Sequence, residues 1–198
     1  MTDGIPTPHG LGRRALLRNG LLVGVGVTVA GIASQALTGT ASASTGEQSG
    51  WLWCTACMVM FYGPDQSTSH CPATQGAHFD YKNESFNYTN EYGYGSFPGE
   101  QQANWAWCRL CKGLFFAPNQ STSVCPAVPP LGNHDGTGSY NYDVFYNTSA
   151  TSSFQINWRW CSKCQGMFFG PDIADSTCPK GGPHVIGPGS YNYGFVHT

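Results

Sequence analysis

One unit is written three times between Trp51 and Thr198, and that repetition constrains the fold more than any other property of the chain. It opens as WLWCTACMVMFYGP at Trp51, WAWCRLCKGLFFAP at Trp105 and WRWCSKCQGMFFGP at Trp158, so the period is 54 and then 53 residues. A third cysteine, always before proline, stands 14 residues after each CxxC (Cys71, Cys125, Cys178), and a histidine follows (His78, His134, His184). Each copy then reaches SFNY (85–88) or SYNY (139–142 and 190–193). A period of this length signals a repeat architecture in which each unit is one supersecondary element.

The first residues read as an export signal. Gly12-Arg13-Arg14-Ala15-Leu16-Leu17-Arg18 is a twin-arginine pattern, followed by a mildly apolar stretch interrupted by Gly24, Gly26 and Gly31 and by the cleavage-like triplet Ala41-Ser42-Ala43. Residues 1–43 are therefore set apart as a twin-arginine signal peptide, and the expectation is a secreted, extracellular protein with no transmembrane anchor in the mature chain. Six basic and ten acidic residues then remain. That sparse, slightly acidic balance leaves no basic patch for a phosphate backbone and argues against nucleic acid as a partner.

Residues 44–50 are polar and rich in Ser and Gly, and read as a linker. The repeats follow as 51–104, 105–157 and 158–198. Within a copy, W-x-W alternates with period two into the CxxC knuckle, and a short apolar run ended by Gly-Pro or Ala-Pro follows it, so the pair predicts a β-hairpin pinned at its tip. The closing tetrad predicts a further strand. The expected fold is all-β, three tandem repeats of ~53 residues, each a metal-pinned hairpin plus a strand. The copies either close into a threefold, β-trefoil-like arrangement or follow each other as beads.

Nine cysteines are an odd number, so a disulfide framework must leave a thiol over. Three Cys3His sites have no remainder: Cys54, Cys57, Cys71 and His78; Cys108, Cys111, Cys125 and His134; Cys161, Cys164, Cys178 and His184. CxxC turns two thiolates toward one tetrahedral ion, and a second loop brings the other two ligands, which is the pattern of a closed, structural zinc site. Units of this size bury too little apolar surface to stand alone, and metal binding supplies folding free energy. A disulfide inside each CxxC is the alternative for an exported chain. The histidines lie 7, 9 and 6 residues after the third cysteine, yet always two after a glycine (Gly76, Gly132, Gly182).

All six tryptophans belong to the W-x-W pairs, and side chains two apart on a strand share a face. They serve the core, or one per copy joins the tetrad in a shallow site for a sugar ring. The candidate ligand-binding set is Trp53, Trp107 and Trp160 with Tyr88, Tyr140, Tyr142, Tyr191, Tyr193, Asn87, Asn141 and Asn192. No acid/base or nucleophile pair recurs beside these residues.

The unit WxWCxxCxGLFFGP with CP, H and SYNY behind it resembles a repeat of actinobacterial secreted proteins, commonly found in tandem. That resemblance covers 51–198 and implies location and repeat architecture; the first copy departs from it, with Val59 where the others have Gly113 and Gly166. The expected function is binding of polysaccharide or cell-wall material at three weak sites that gain avidity together. A structural or assembly protein of the cell envelope without a small ligand is the alternative, and a zinc hydrolase the third reading.

Overall fold

The computed structural model describes residues 44–95, 100–128 and 130–198; the segment read as an export signal lies outside the described residues. Among the described residues nine strands carry the fold: β1 (Gly46–Trp53), β2 (Met60–Tyr62), β3 (Tyr88–Tyr92), β4 (Gln101–Trp107), β5 (Leu114–Phe116), β6 (Tyr142–Tyr146), β7 (Phe154–Trp160), β8 (Met167–Phe169) and β9 (Tyr193–His197). Helical segments among the described residues are 3-10 turns, one after each hairpin (Gly63–Thr68, Ala117–Thr122, Gly170–Asp175) and a single extra turn at Tyr81–Asn83. None is long and apolar enough to cross a membrane.

Each copy is the expected hairpin plus a strand. The W-x-W half of the long strand pairs antiparallel with the short strand behind the knuckle, as in Trp51 with Tyr62 and Trp53 with Met60. The turn residue after that strand answers the residue between the tryptophans. A Cβ on Gly63 would lie 2.6 Å from the Leu52 side chain, and one on Gly170 2.8 Å from that of Arg159. Copy two has the small Ala106 between its tryptophans and accordingly tolerates Ala117 at the turn.

The other half of each long strand pairs with the strand that begins at the tetrad's final tyrosine, so β1 pairs with β3, β4 with β6 and β7 with β9. This corrects the reading of 44–50 as a linker. Gly46, Glu47 and Gln48 pair with Tyr92, Glu91 and Asn90, and the long strands of the repeats begin at Gly46, Gln101 and Phe154, ahead of the first tryptophan of each copy rather than at it. A β-bulge separates the two halves of every long strand, at Gly50, Asn104 and Asn157, all with positive φ (92°, 73° and 76°). Glycine and asparagine are the residues that enter this region at least cost.

The copies close on themselves rather than follow as beads. β3, β6 and β9 pair with one another in all three combinations, Tyr92 opposite Tyr142, Tyr146 opposite Tyr193, and His197 opposite Tyr88. Three strands in a ring cannot all run antiparallel along their full length, because an odd ring returns each strand to its own reverse. The pairing is therefore confined to two residues at each contact, the end of one strand against the start of the next. A second ring joins the hairpins. Tyr62 N–H donates to the Lys112 carbonyl (2.9 Å), Phe116 N–H to that of Gln165 (2.9 Å), and Phe169 N–H to that of Met58 (2.8 Å).

Between the rings lies one shared core. The first tryptophan of each pair (Trp51, Trp105, Trp158) is fully buried and meets the tetrad tyrosine of the neighbouring copy edge to face: Trp51 with Tyr142 at 5.2 Å, Trp105 with Tyr193 at 5.2 Å, Trp158 with Tyr88 at 5.3 Å. Contacts of this kind contribute about 0.5–1.5 kcal/mol each beyond area burial. The tyrosine hydroxyls then reach glutamines of the same neighbour: Tyr88 donates to Gln155 (2.5 Å), Tyr193 to Gln102 (2.6 Å) and Tyr142 to Gln48.

Candidate metal centres and aromatic platforms

All twelve cysteine and histidine positions singled out by spacing are buried, and they gather into three groups: Cys54, Cys57, Cys71 and His78; Cys108, Cys111, Cys125 and His134; Cys161, Cys164, Cys178 and His184. The ligand atoms of each group lie within 4.8 Å of one another. All nine thiols are free. Cys54 and Cys71 Sγ are 3.8 Å apart, Cys108 and Cys125 Sγ 3.9 Å, against the ~2.0 Å of a disulfide. Two thiolates on a tetrahedral zinc with Zn–S near ~2.3 Å stand about 3.8 Å apart. The histidines present Nδ1 to the group, 3.4, 3.3 and 3.5 Å from Cys57, Cys111 and Cys164 Sγ.

Local sequence builds the cage in three steps. The knuckle closes by a pair of backbone bonds, Met58 N–H to the Cys54 carbonyl (2.8 Å) and Cys54 N–H to the Val59 carbonyl (2.9 Å), repeated at Cys108 and Cys161. The residue after each CxxC (Met58, Lys112, Gln165) holds the left-handed conformation that makes this turn possible. A Cβ on Gly113 would meet nothing nearer than Cys111 Sγ at 3.6 Å, so Val59 fits the first copy without distortion. The third cysteine's N–H then donates to the recurring glycine's carbonyl (Gly76, Gly132 and Gly182, at 2.7, 2.7 and 2.8 Å). All the length variation between third cysteine and histidine falls inside that closed loop, and the two-residue step from glycine to histidine stays constant.

A serine two residues before the third cysteine, which ligand spacing alone does not reveal, fixes the histidine. Ser69, Ser123 and Ser176 are buried; each Oγ accepts the histidine N–H (2.8, 2.8 and 2.9 Å) and donates to the carbonyl of Gln66, Gln120 or Ile173. Its recurrence before C-P was the available signal. Each imidazole stacks on the phenylalanine of its own hairpin (Phe61, Phe115, Phe168) at 4.7–5.0 Å between centroids. His184 Nε2 lies 3.2 Å from the Cys57 carbonyl of the first copy. A carbonyl only accepts, so Nε2 carries the proton and Nδ1 is left with the lone pair a metal needs.

Electrostatics inside the cage call for a cation. Burial pushes the Cys57 and Cys111 thiols well above their ordinary range. Hydrogen bonds from neighbouring thiols pull Cys71, Cys108 and Cys161 the other way, and the bond to Cys108 lifts Cys125 to about 12. Thiols raised in this way keep their protons, and holding three thiolates together in one buried cage takes a cation among them. With four protein ligands such a site has no open position for a substrate.

The candidate ligand-binding set divides sharply. Tyr88, Tyr142 and Tyr193 are 1–2% exposed and belong to the core, because their rings cover the neighbouring tryptophan and their hydroxyls satisfy a glutamine. Asn87, Asn141 and Asn192 hold the bulges, their Oδ1 accepting the N–H of Gly50, Asn104 and Asn157 (2.8, 2.7 and 2.8 Å). The tetrad serines do comparable work, accepting the N–H of Trp53, Trp107 and Trp160. Those second tryptophans are half-buried and pack against the core; Trp53 meets Phe169 and Trp160 meets Phe116.

The tetrad's second position remains outside. Phe86, Tyr140 and Tyr191 are 44%, 45% and 39% exposed, and each stacks on the last strand residue of the preceding copy: Tyr140 on Tyr92 at 4.0 Å, Tyr191 on Tyr146 at 4.1 Å, Phe86 on His197 at 3.9 Å. Three two-ring platforms therefore mark the three seams. No protein-family model, curated protein or solved structure matches the chain.

Proposed function

We propose that this chain is an exported binding protein, braced by three structural zinc ions, that attaches to neutral polysaccharide through its aromatic platforms. The observation that carries the binding reading is the recurrence of an exposed aromatic ring, backed on one face by a second ring, at all three seams. A rigid flat ring offers the C–H face of a sugar its stacking partner, and three of them on one polymer multiply weak contacts into avidity. Zinc is favoured over other divalent ions by three soft thiolates and one imidazole in a tetrahedral set. Export by a twin-arginine route suits a chain that takes up metal and folds before it crosses the membrane.

Elemental analysis of the purified mature protein should return about three zinc ions per chain, one for each Cys3His group. Pull-down on cellulose, chitin and cell-wall material should retain it, with Tyr140→Ala retained less and equally well folded, since its ring is at the surface. Failure to bind any of these materials leaves the envelope-assembly reading in possession. Exchange of Arg13 and Arg14 for lysine should trap precursor inside the cell; normal secretion of that double variant overturns the export route.

A further inference from the structure

The three seams are not equal, and the one where the last copy meets the first is built differently. Beside the Phe86 platform a groove of about 390 Å³ opens, its walls formed by Phe154, Ile156 and Phe169 together with Phe86 and His197. At the places of Phe154 and Ile156 the first copy has Glu47 and Ser49, and the second has Gln101 and Ala103. Phe154 and its neighbours differ together from their counterparts in the other two copies. A Cβ on Gly194 would lie 2.3 Å from the Phe154 ring, so the ring's position requires the glycine where the other copies carry Thr89 and Asp143. Phe154 also meets Phe145 edge to face at 5.8 Å. His197, stacked under Phe86, takes the place that Tyr92 and Tyr146 hold elsewhere.

We infer that this groove is the principal ligand subsite of the protein, and that it takes a neutral pyranose carrying an apolar substituent, an N-acetylated hexosamine unit of a polymer. The inference rests on the polysaccharide reading above and names its dominant site. No aspartate, glutamate, lysine or arginine lines the groove, so it suits a ligand without charge. Aromatic and aliphatic walls match the C–H face of the sugar ring. The two side chains that set this seam apart, Phe154 and Ile156, add apolar depth beyond a flat platform, which hydroxyls alone do not reward and an acetamido methyl does. Polar groups stand at the rim where the sugar's hydroxyls and amide would lie. Thr151, Ser152 and Asn157 border the groove. The volume falls in the ~300–1,000 Å³ range of small-ligand sites.

The test is calorimetric titration of the full mature chain with N-acetylchitooligosaccharide and with cello-oligosaccharide of equal length, repeated on Phe86→Ala, Ile156→Ser and Tyr140→Ala. Ile156→Ser installs the residue that the first copy carries at the same place, so it is compatible with the strand; thermal midpoints check that each variant folds. The expected result is tighter binding of the acetylated sugar, a loss of tenfold or more in Phe86→Ala and Ile156→Ser, and a smaller loss, threefold or less, in Tyr140→Ala, whose platform is a secondary contact. Equal losses in Phe86→Ala and Tyr140→Ala overturn the groove and leave the three-platform reading standing. Equal affinity for the two sugars overturns its choice of ligand. Absence of binding to either sugar and to polysaccharide removes both readings together.

Discussion

Asp143 is the residue at which threefold repetition is least well served. It is 1% exposed, opposite Glu91 across the β3–β6 contact, where the other copies place Thr89 and Gly194. Its Oδ2 accepts the N–H groups of Tyr94 (2.7 Å) and Gly95 (3.2 Å), while Oδ1 is buried without a partner. Burial raises the carboxyl above its ordinary range, with the two N–H donors opposing. Because the unfolded carboxyl titrates near ~3.9, the native state binds more protons between that value and its own higher one. Stability contributed here is therefore present at low pH, falls as pH rises through that interval, and stays lower above it. Asp143→Asn keeps an acceptor for both N–H groups and removes the charge. It should raise the urea midpoint at pH 7 by the equivalent of about 1 kcal/mol and flatten the acid limb of the stability profile; an unchanged profile would show that Asp143 is not its source.

Among the elements, the loop from third cysteine to histidine separates what must be constant from what is free. Copy two spends six residues between Cys125 and Gly132, copy three only three between Cys178 and Gly182, and both close with the same cysteine-to-glycine bond. Replacing residues 126–131 by the Pro-Lys-Gly of copy three should keep three metal ions per chain and shift stability by no more than about 0.6 kcal/mol, the closure entropy of a twofold length change. Elemental analysis and thermal midpoints decide it, and loss of one metal would mean the loop itself shapes the site. The metal sets and hairpins were legible in sequence because their residues are chemically singular and locally spaced. The platforms were half legible: recurrence marked the tetrad, but only the fold separates Tyr142, which opens β6 and is buried, from Tyr140, which precedes the strand and stays outside. The first strand was hidden because 44–50 is polar; Gln48, Gln102 and Gln155, each three residues before a tryptophan, were its only trace. What those glutamines do depends on a tyrosine of another copy, which no local pattern contains.

At the scale of the molecule, the two rings make the copies interdependent. Each knuckle accepts a backbone bond from the preceding copy's hairpin, and each core tryptophan is covered by a neighbour's tyrosine. A single lost metal should therefore not melt a single copy. Cys111→Ser is expected to lower the unfolding midpoint of the whole chain in one cooperative transition, visible as faster hydrogen exchange at Tyr62 and Phe169 as well as at Phe116. Retention of wild-type protection in copies one and three would show the copies to be independent.

The ring also has no privileged beginning. Thr198 and Asn87 exchange two backbone hydrogen bonds (3.1 and 3.2 Å) at the same place where Gly93 meets Asn141 and Asn147 meets Asn192, so non-covalent contacts make the final junction just as they make the other two. Seven residues, 147–153, are enough to carry the chain from β6 to β7. A bridge of similar length from Thr198 back to the start of β1 would make the backbone as continuous as the sheet. The chain could then be cut open between β6 and β7 and read from β7 onward, a circular permutant with the same three cages, the same core and new ends.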